Sequence, residues 1–148
     1  TQLRPYMPHD LQGVEWIAVG SNTFNEAVPF YAHVNATPAY LANTTGDVTT
    51  ESFYWANRIV AAMADAHYPA CLAHVERYQL ALSTAGHAML KRFDEQYLAA
   101  PEKDAAAYLT ACNQQLADKA RELTDDLLSK VLFSASMEMK NGFARSDS

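Results

Sequence analysis

The hydrophobic and polar positions of the chain change their period once, near residue 50. Before that point, apolar residues occur in short alternating runs over 14–19 and 28–34, a pattern typical of β-strands. After it, apolar residues recur about every 3.6 positions, the period of an α-helix. We therefore predict an α+β fold in one region, with strands and loops over 1–49, helices over 50–137 and a tail over 138–148.

Short antiparallel strands are expected in the first part. The run 14–19 is largely apolar on both faces, which predicts a strand that is covered on both sides. Pro29 lies inside the next run and confines that strand to a sheet edge or to its first residues, because proline has no backbone N–H to donate. A further short strand is expected near the N-terminus, ending at Pro5.

Three helices are expected in the second part. The first covers about 50–69, with Thr50 as its N-cap and Glu51 in its first turn. The second covers about 70–98, and Pro101 begins the third. At 1.5 Å per residue the last two helices would each span about 43 Å. This helical hairpin would protrude from a chain of this size unless something else covers it.

One apolar face of each predicted helix is expected to be buried in the core. These positions are Phe53, Ala56, Ile59, Val60 and Met63, then Val75, Tyr78, Leu82, Ala85, Met89, Phe93 and Tyr97, and finally Leu109, Cys112, Leu116, Ala120, Leu123, Leu127 and Val131.

Composition and charge argue against two classes of partner. No apolar run of the 148 residues approaches the roughly 20 that a membrane-spanning helix needs. The formal net charge is −6 and the 11 Lys and Arg residues are scattered, whereas phosphate binding requires a concentrated basic surface. We expect neither a membrane nor a nucleic acid as a partner.

The two cysteines are not expected to pair. If the hairpin turns near Ala100, the residue opposite Cys71 lies near Lys130, and Cys112 then lies roughly 25 Å away along the helix axis. A disulfide cannot bridge that distance.

The start of the chain has no basic segment followed by an apolar stretch, so no signal peptide is visible. It also lacks an initiating Met. We expect a processed product, a fragment or a trimmed piece of a longer protein.

The junction of the first two helices carries three residues of types that can bind a metal. His67, Cys71 and His74 are spaced so that one unbroken helix would place all three on one face. Pro69 lies within this stretch and is expected to break the helix. The Glu-x-x-His pairs of di-iron bundles are absent from the sequence. We predict a helix junction, with no metal and no cofactor.

Two further groups carry possible chemistry. Thr1 could act as a nucleophile with its own amine as base, but no buried strand that would orient it is predicted after it. An acidic row is predicted to be a solvated helix face, because it lies opposite the apolar stripe and beside basic residues. Its members are Asp118, Glu122, Asp125 and Asp126.

The loop 21–27 is the remaining candidate site. It joins the two predicted strands and carries Asn25 and Glu26. An Asn side chain held between two strands can donate to a developing oxyanion. Ordinary turn chemistry explains the same residues, since Asn and Ser are common in loops.

Three motifs together resemble the C-terminal part of the cysteine dipeptidases related to dipeptidase A. They are "LRPYMP", "GVEWIAVGSNTFNEAVPFY" and "ESFYWANRIVAAMADAHYP", in this order and at matching spacing. The positions that carry the resemblance are Arg4, Pro5, Pro8, 13–16, Asn25, Val28, Pro29, Phe30, Tyr31, Ser52, Tyr54 and Trp55.

The resemblance implies an N-terminal-nucleophile hydrolase of the αββα type, which cleaves dipeptides with an N-terminal Cys whose free amine is the base. This chain has no N-terminal Cys, so no catalytic residue is assigned to it and we expect it to be inactive alone. Its expected partners are the N-terminal part of the same enzyme, the dipeptide substrate and further copies in a homo-oligomer. Asn25, Glu26 and Tyr31 are the predicted substrate-binding residues.

A second interpretation stays open. The long helices could form a self-association or partner-binding module without catalysis.

Overall fold

The structure, a computed structural model, describes residues 1–139. Within them, three short strands form an antiparallel sheet in the order β1-β2-β3: β1 (Gln2–Leu3), β2 (Gly13–Ile17) and β3 (Val28–Tyr31). A 3-10 turn, His9–Leu11, joins β1 to β2. The helices are α1 (Ala39–Ala42), α2 (Phe53–Ala66), α3 (Tyr68–Ala99) and α4 (Ala105–Met137). The predicted α+β class is confirmed. The tail was predicted over 138–148, and all of it after residue 139 lies outside the described residues.

The sheet differs from its prediction in extent. Pro29 lies on β3, which is an edge strand of the sheet within the described residues, as predicted, and it pairs with Trp16 of β2. β2 ends at Ile17 rather than at residue 19. Only Val14 of this strand is fully buried, so the prediction of a strand covered on both sides is wrong for the chain as described.

The helix boundaries follow the capping side chains. Ser52, not Thr50, is the N-cap of α2, because its hydroxyl accepts the backbone N–H of Trp55 at 3.2 Å. α4 begins at Ala105 rather than at Pro101, and its N-cap is Asp104, whose Oδ1 accepts the backbone N–H of Ala107 at 3.1 Å. The four-residue α1 was not predicted.

The break between α2 and α3 falls at His67. Pro69 lies in the first turn of α3, where its missing N–H has no helical partner to lose. The prediction of a helix junction here is confirmed, and Pro69 belongs to the first turn of α3 rather than to the end of α2.

α3 and α4 form the predicted hairpin, with 32 and 33 residues. Their side chains interlock in the core, where the Tyr78 hydroxyl lies 3.0 Å from Thr124 Oγ1. Burial raises the pKa of Tyr78 to about 12. α2 packs against α4 and covers part of the hairpin. Cys71 and Cys112 are free thiols, as predicted, and both are buried.

Most of the predicted core positions on the helices are buried. The exceptions, which are half-buried, are Ile59, Met63, Ala85 and Leu123. Gly86, which follows Ala85, and Thr124, which follows Leu123, are buried instead. None of the helices in the described part of the chain is both long enough and apolar enough to cross a membrane.

The glycine in the middle of α3 is explained by β3. A Cβ placed on Gly86 would lie 2.9 Å from Cδ of Pro29, closer than packed atoms allow. Glycine destabilises a helix interior by about 1 kcal/mol relative to alanine, and here it lets the strand contact the helix.

The outer edge of β3 is closed by one side chain from α4. The Asn113 Oδ1 atom accepts the backbone N–H of Tyr31 at 2.8 Å, and Asn113 Nδ2 donates to the Tyr31 carbonyl at 2.9 Å. Asn113 is buried. The amide therefore replaces the hydrogen bonds that a further strand would make.

We expect Asn113→Ala to lower the free energy of unfolding by about 2 to 4 kcal/mol, because two buried backbone groups lose their partners. Urea denaturation measures this change. The matched control is Gln114→Ala, since Gln114 is exposed and its side chain bonds, among residues 1–139, only to Asp118, and we expect less than about 0.5 kcal/mol there. Equal effects of the two substitutions would contradict the role given to Asn113.

Candidate functional site

The loop between β2 and β3 is folded around the side chain of Asn25. Gly20 has a positive φ of 84°, which glycine adopts without strain. Asn25 Nδ2 donates to the Val19 carbonyl at 2.9 Å and lies 3.4 Å from the Gly20 carbonyl oxygen. The amide thus ties the beginning of the loop to its end.

A side chain from α3 holds the same loop from outside. Gln79 Nε2 lies 3.0 Å from the carbonyl oxygens of both Thr23 and Asn25. The loop therefore has a fixed position against α3. Glu26 contributes a local bond, because its Oε1 accepts the backbone N–H of Ala27 at 3.0 Å.

The structure separates Tyr31 from this loop. Its side chain is 2% exposed, and its hydroxyl donates to Asp94 Oδ1 at 2.9 Å. Burial, followed by the charge of Asp94, raises the pKa of Tyr31 well above its usual range. Tyr31 also lines a cavity of about 240 Å³ beside Phe30 and Asn113. Its role in substrate binding stays a prediction, as do those of Asn25 and Glu26.

Asp94 is itself paired with a buried arginine that the sequence did not single out as functional. Arg4 Nη1 donates to Asp94 Oδ2 at 2.6 Å, and Arg4 Nη2 donates to Asp94 Oδ1 at 3.0 Å and to the Leu11 carbonyl at 2.6 Å. Burial lowers the pKa of Arg4, but the hydrogen bond and charge of Asp94 outweigh it, so the net shift is upward. The Arg4 guanidinium therefore stays charged beside Asp94.

A groove of about 520 Å³ lies between the loop and α2. The loop supplies Gly20, Ser21 and Phe24, and α2 supplies the other wall. The α2 residues are Tyr54, Arg58, Ala61, Ala62 and Asp65. The sequence did not predict this site. Arg58 and Asp65, its two charged residues, are seven positions apart, a spacing that is common on exposed helix faces and indicates no particular function.

Arg58 is held in place within the groove. Its Nη1 donates to the Tyr54 hydroxyl at 2.7 Å, and its guanidinium carbon lies 5.5 Å from the centre of the Trp55 ring. These contacts orient a positive charge without neutralising it.

The histidines near the helix junction make separate contacts. His67 Nδ1 lies 2.7 Å from Glu138 Oε2, and His74 Nε2 lies 3.3 Å from Ser134 Oγ. Cys71 is buried. Across residues 1–139, no three metal-binding side chains are grouped so that they could hold an ion.

The acidic row on α4 is exposed, as predicted, and three of its members form ion pairs with basic residues of the same helix. Glu122 lies 3.1 Å from Lys119 and Asp126 lies 2.7 Å from Lys130. These exposed pairs contribute little to stability.

Comparison with known proteins assigns the family. The family model for peptidase family C69 matches residues 1–81, which contain the sheet, the loop and α2. The chain belongs to this family of peptidases. The predicted resemblance to cysteine dipeptidases is thereby confirmed.

Named relatives extend the match along nearly the whole chain. A dipeptidase of Bifidobacterium longum (strain NCC 2705) is 39% identical, over 99% of this chain and 34% of the relative. A probable dipeptidase A of Streptococcus pyogenes serotype M18 is 41% identical, over 98% of this chain and 30% of the relative. Dipeptidase A of Lactobacillus helveticus is 28% identical, over 88% of this chain and 27% of the relative. The chain spans about a third of the length of the curated relatives it matches.

Proposed function

We propose that this chain is the C-terminal part of a dipeptidase whose nucleophile, an N-terminal Cys with a free amine, lies outside these 148 residues. The observation that carries the proposal is the match of family C69 to residues 1–81, joined by relatives named dipeptidases along 99% of the chain. The αββα architecture of an N-terminal-nucleophile hydrolase is part of the same proposal.

The state of the two cysteines supports a nucleophile outside the chain. Cys71 and Cys112 are both buried, and burial raises the pKa of each thiol. The thiolate is the reactive form of cysteine, and catalytic cysteines have a lowered pKa. The environment of both thiols therefore works against catalysis.

Thr1 is equally unsuited to the role of nucleophile. It is exposed, and its hydroxyl lies 2.9 Å from Glu15 Oε2. Thr1 does not line the groove between the loop and α2.

Two surfaces of the chain are suited to contact the rest of the enzyme. Within the described residues, β1 pairs only with β2, so its other edge can accept a strand of a larger sheet. At the end of α4, Leu132, Phe133 and Met137 are exposed. We propose that these surfaces meet the N-terminal part of the enzyme or a second copy in a homo-oligomer.

In this enzyme the chain supplies part of the substrate site. The loop between β2 and β3, held by Asn25, forms one wall of the groove, and α2 forms the other. The dipeptide binds there and the N-terminal Cys attacks its peptide bond.

We expect the full-length protein to hydrolyse dipeptides and residues 1–148 alone to be inactive. The measurement is the release of free amino acids from a panel of dipeptides. A full-length variant with the N-terminal Cys changed to Ala is the control, and we expect it to be inactive. Hydrolysis by residues 1–148 alone at the rate of the full-length protein would contradict the proposal.

We expect Asn25→Asp in the full-length protein to lower kcat/KM about tenfold, because the loop carbonyls lose their donor and face a carboxylate instead, at a cost of about 1.4 kcal/mol. Steady-state kinetics measures the change. Asn35→Asp is the matched control. Asn35 is exposed and does not line the groove, and this substitution introduces the same negative charge. Kinetics unchanged by Asn25→Asp would show that Asn25 is only a turn residue.

A further inference from the structure

The groove between the loop and α2 contains one cation and one anion. Arg58 and Asp65 both line it. They are seven residues apart on α2, which places them on one face of the helix and about 10.5 Å apart along its axis. Between them lie Ala61 and Ala62, whose small side chains leave the floor of the groove open.

Neither charge is neutralised by the described chain. No acidic group within residues 1–139 lies within ion-pair distance of Arg58, and no basic group lies within that distance of Asp65. The Tyr54 hydroxyl holds Arg58 through one nitrogen, which leaves its other N–H groups free for a ligand. A guanidinium with two parallel N–H groups is well suited to bind a carboxylate.

From this pair of charges we infer that the groove binds the dipeptide as a zwitterion, with the terminal carboxylate on Arg58 and the terminal ammonium group on Asp65. The inference rests on the proposed function and names the residues that recognise the substrate.

The backbone spacing of Arg58 and Asp65 is compatible with a dipeptide. Two extended residues span about 7 Å, and a charge-assisted hydrogen bond at each end adds about 2.8 Å. The total of about 13 Å is within reach of two side chains whose backbones are about 10.5 Å apart along the axis.

The opposite wall suits the body of the substrate. Phe24 faces the groove from the loop, and the bonds from Gln79 to Thr23 and Asn25 fix that loop. The aromatic ring offers an apolar contact that does not depend on the identity of the dipeptide side chains.

The test uses the full-length protein and three forms of one substrate: alanyl-leucine, its C-terminal amide and its N-acetyl derivative. We expect the wild type to cleave each blocked form with a kcat/KM about 10 to 100 times lower, because one charge-assisted hydrogen bond is lost. Arg58→Gln should lower kcat/KM for the free dipeptide to the level of the amide and leave the amide unchanged. Asp65→Asn should lower kcat/KM for the free dipeptide to the level of the N-acetyl form and leave the N-acetyl form unchanged.

Matched controls and a second variant separate recognition from folding. Arg77→Gln and Glu76→Gln remove the same charges from the exposed face of α3, and we expect wild-type selectivity from both. Arg58→Lys keeps the positive charge and should retain part of the preference for the free carboxylate. Equal losses for the free dipeptide and its amide in Arg58→Gln would overturn the inference, since Arg58 would then contact another part of the protein.

Failure of the proposed function gives a different result. If the wild type cleaves the dipeptide and Arg58→Gln keeps the full preference for the free carboxylate, the inference is wrong and the function stands. If the wild type cleaves none of the three, the proposed function is wrong, and calorimetric binding of a ketomethylene isostere of alanyl-leucine then decides the inference. Binding weakened at least tenfold by Arg58→Gln supports it, and equal or absent binding overturns it.

Discussion

The buried ion pair between Arg4 and Asp94 is the interaction on which the arrangement of the sheet and the helices depends. Both residues are almost completely buried, and a buried charge is tolerated only when it is paired and hydrogen-bonded. Asp94 also accepts from the Tyr31 hydroxyl, and Arg4 also donates to Leu11. One carboxylate on α3 therefore holds the segment after β1, the 3-10 turn and the end of β3 together.

The groove depends on this arrangement because α3 holds β3 and its loop at two points. Asp94 binds the end of the strand through Tyr31, while Gln79 binds the loop before the strand. These two residues lie 15 positions apart on one helix, about 22 Å along its axis. The loop is thus positioned by a rigid element before any ligand binds, and α2 completes the groove from the other side. Preorganised walls of this kind reduce the cost of ordering a site on binding.

The features that could be predicted from the sequence were those with a local signal. The period of the apolar residues predicts the helical hairpin, and Pro29 predicts an edge strand. The cap of α2 could not be chosen locally, because Thr50 and Ser52 are both good caps and the burial of Ser52 decides between them. The sequence pattern around Asp94 is that of an exposed helix residue. Its burial depends on Arg4, which is 90 positions away in the sequence and is visible as its partner only in the structure. Arg58 was missed for the opposite reason: it is exposed, and only the loop across from it makes a groove.

A double-mutant cycle on Arg4 and Asp94 tests the central claim most directly. Asp94→Asn keeps the shape of its side chain, Arg4→Gln replaces the guanidinium with a shorter neutral amide, and each removes one charge. Urea denaturation gives the free energy of unfolding of each variant. We expect each single substitution to cost about 3 to 5 kcal/mol, since it leaves the other charge buried and unpaired. The double variant should cost clearly less than the sum of the two. Additive effects below about 1 kcal/mol each would contradict the claim that this pair holds the sheet on the helices.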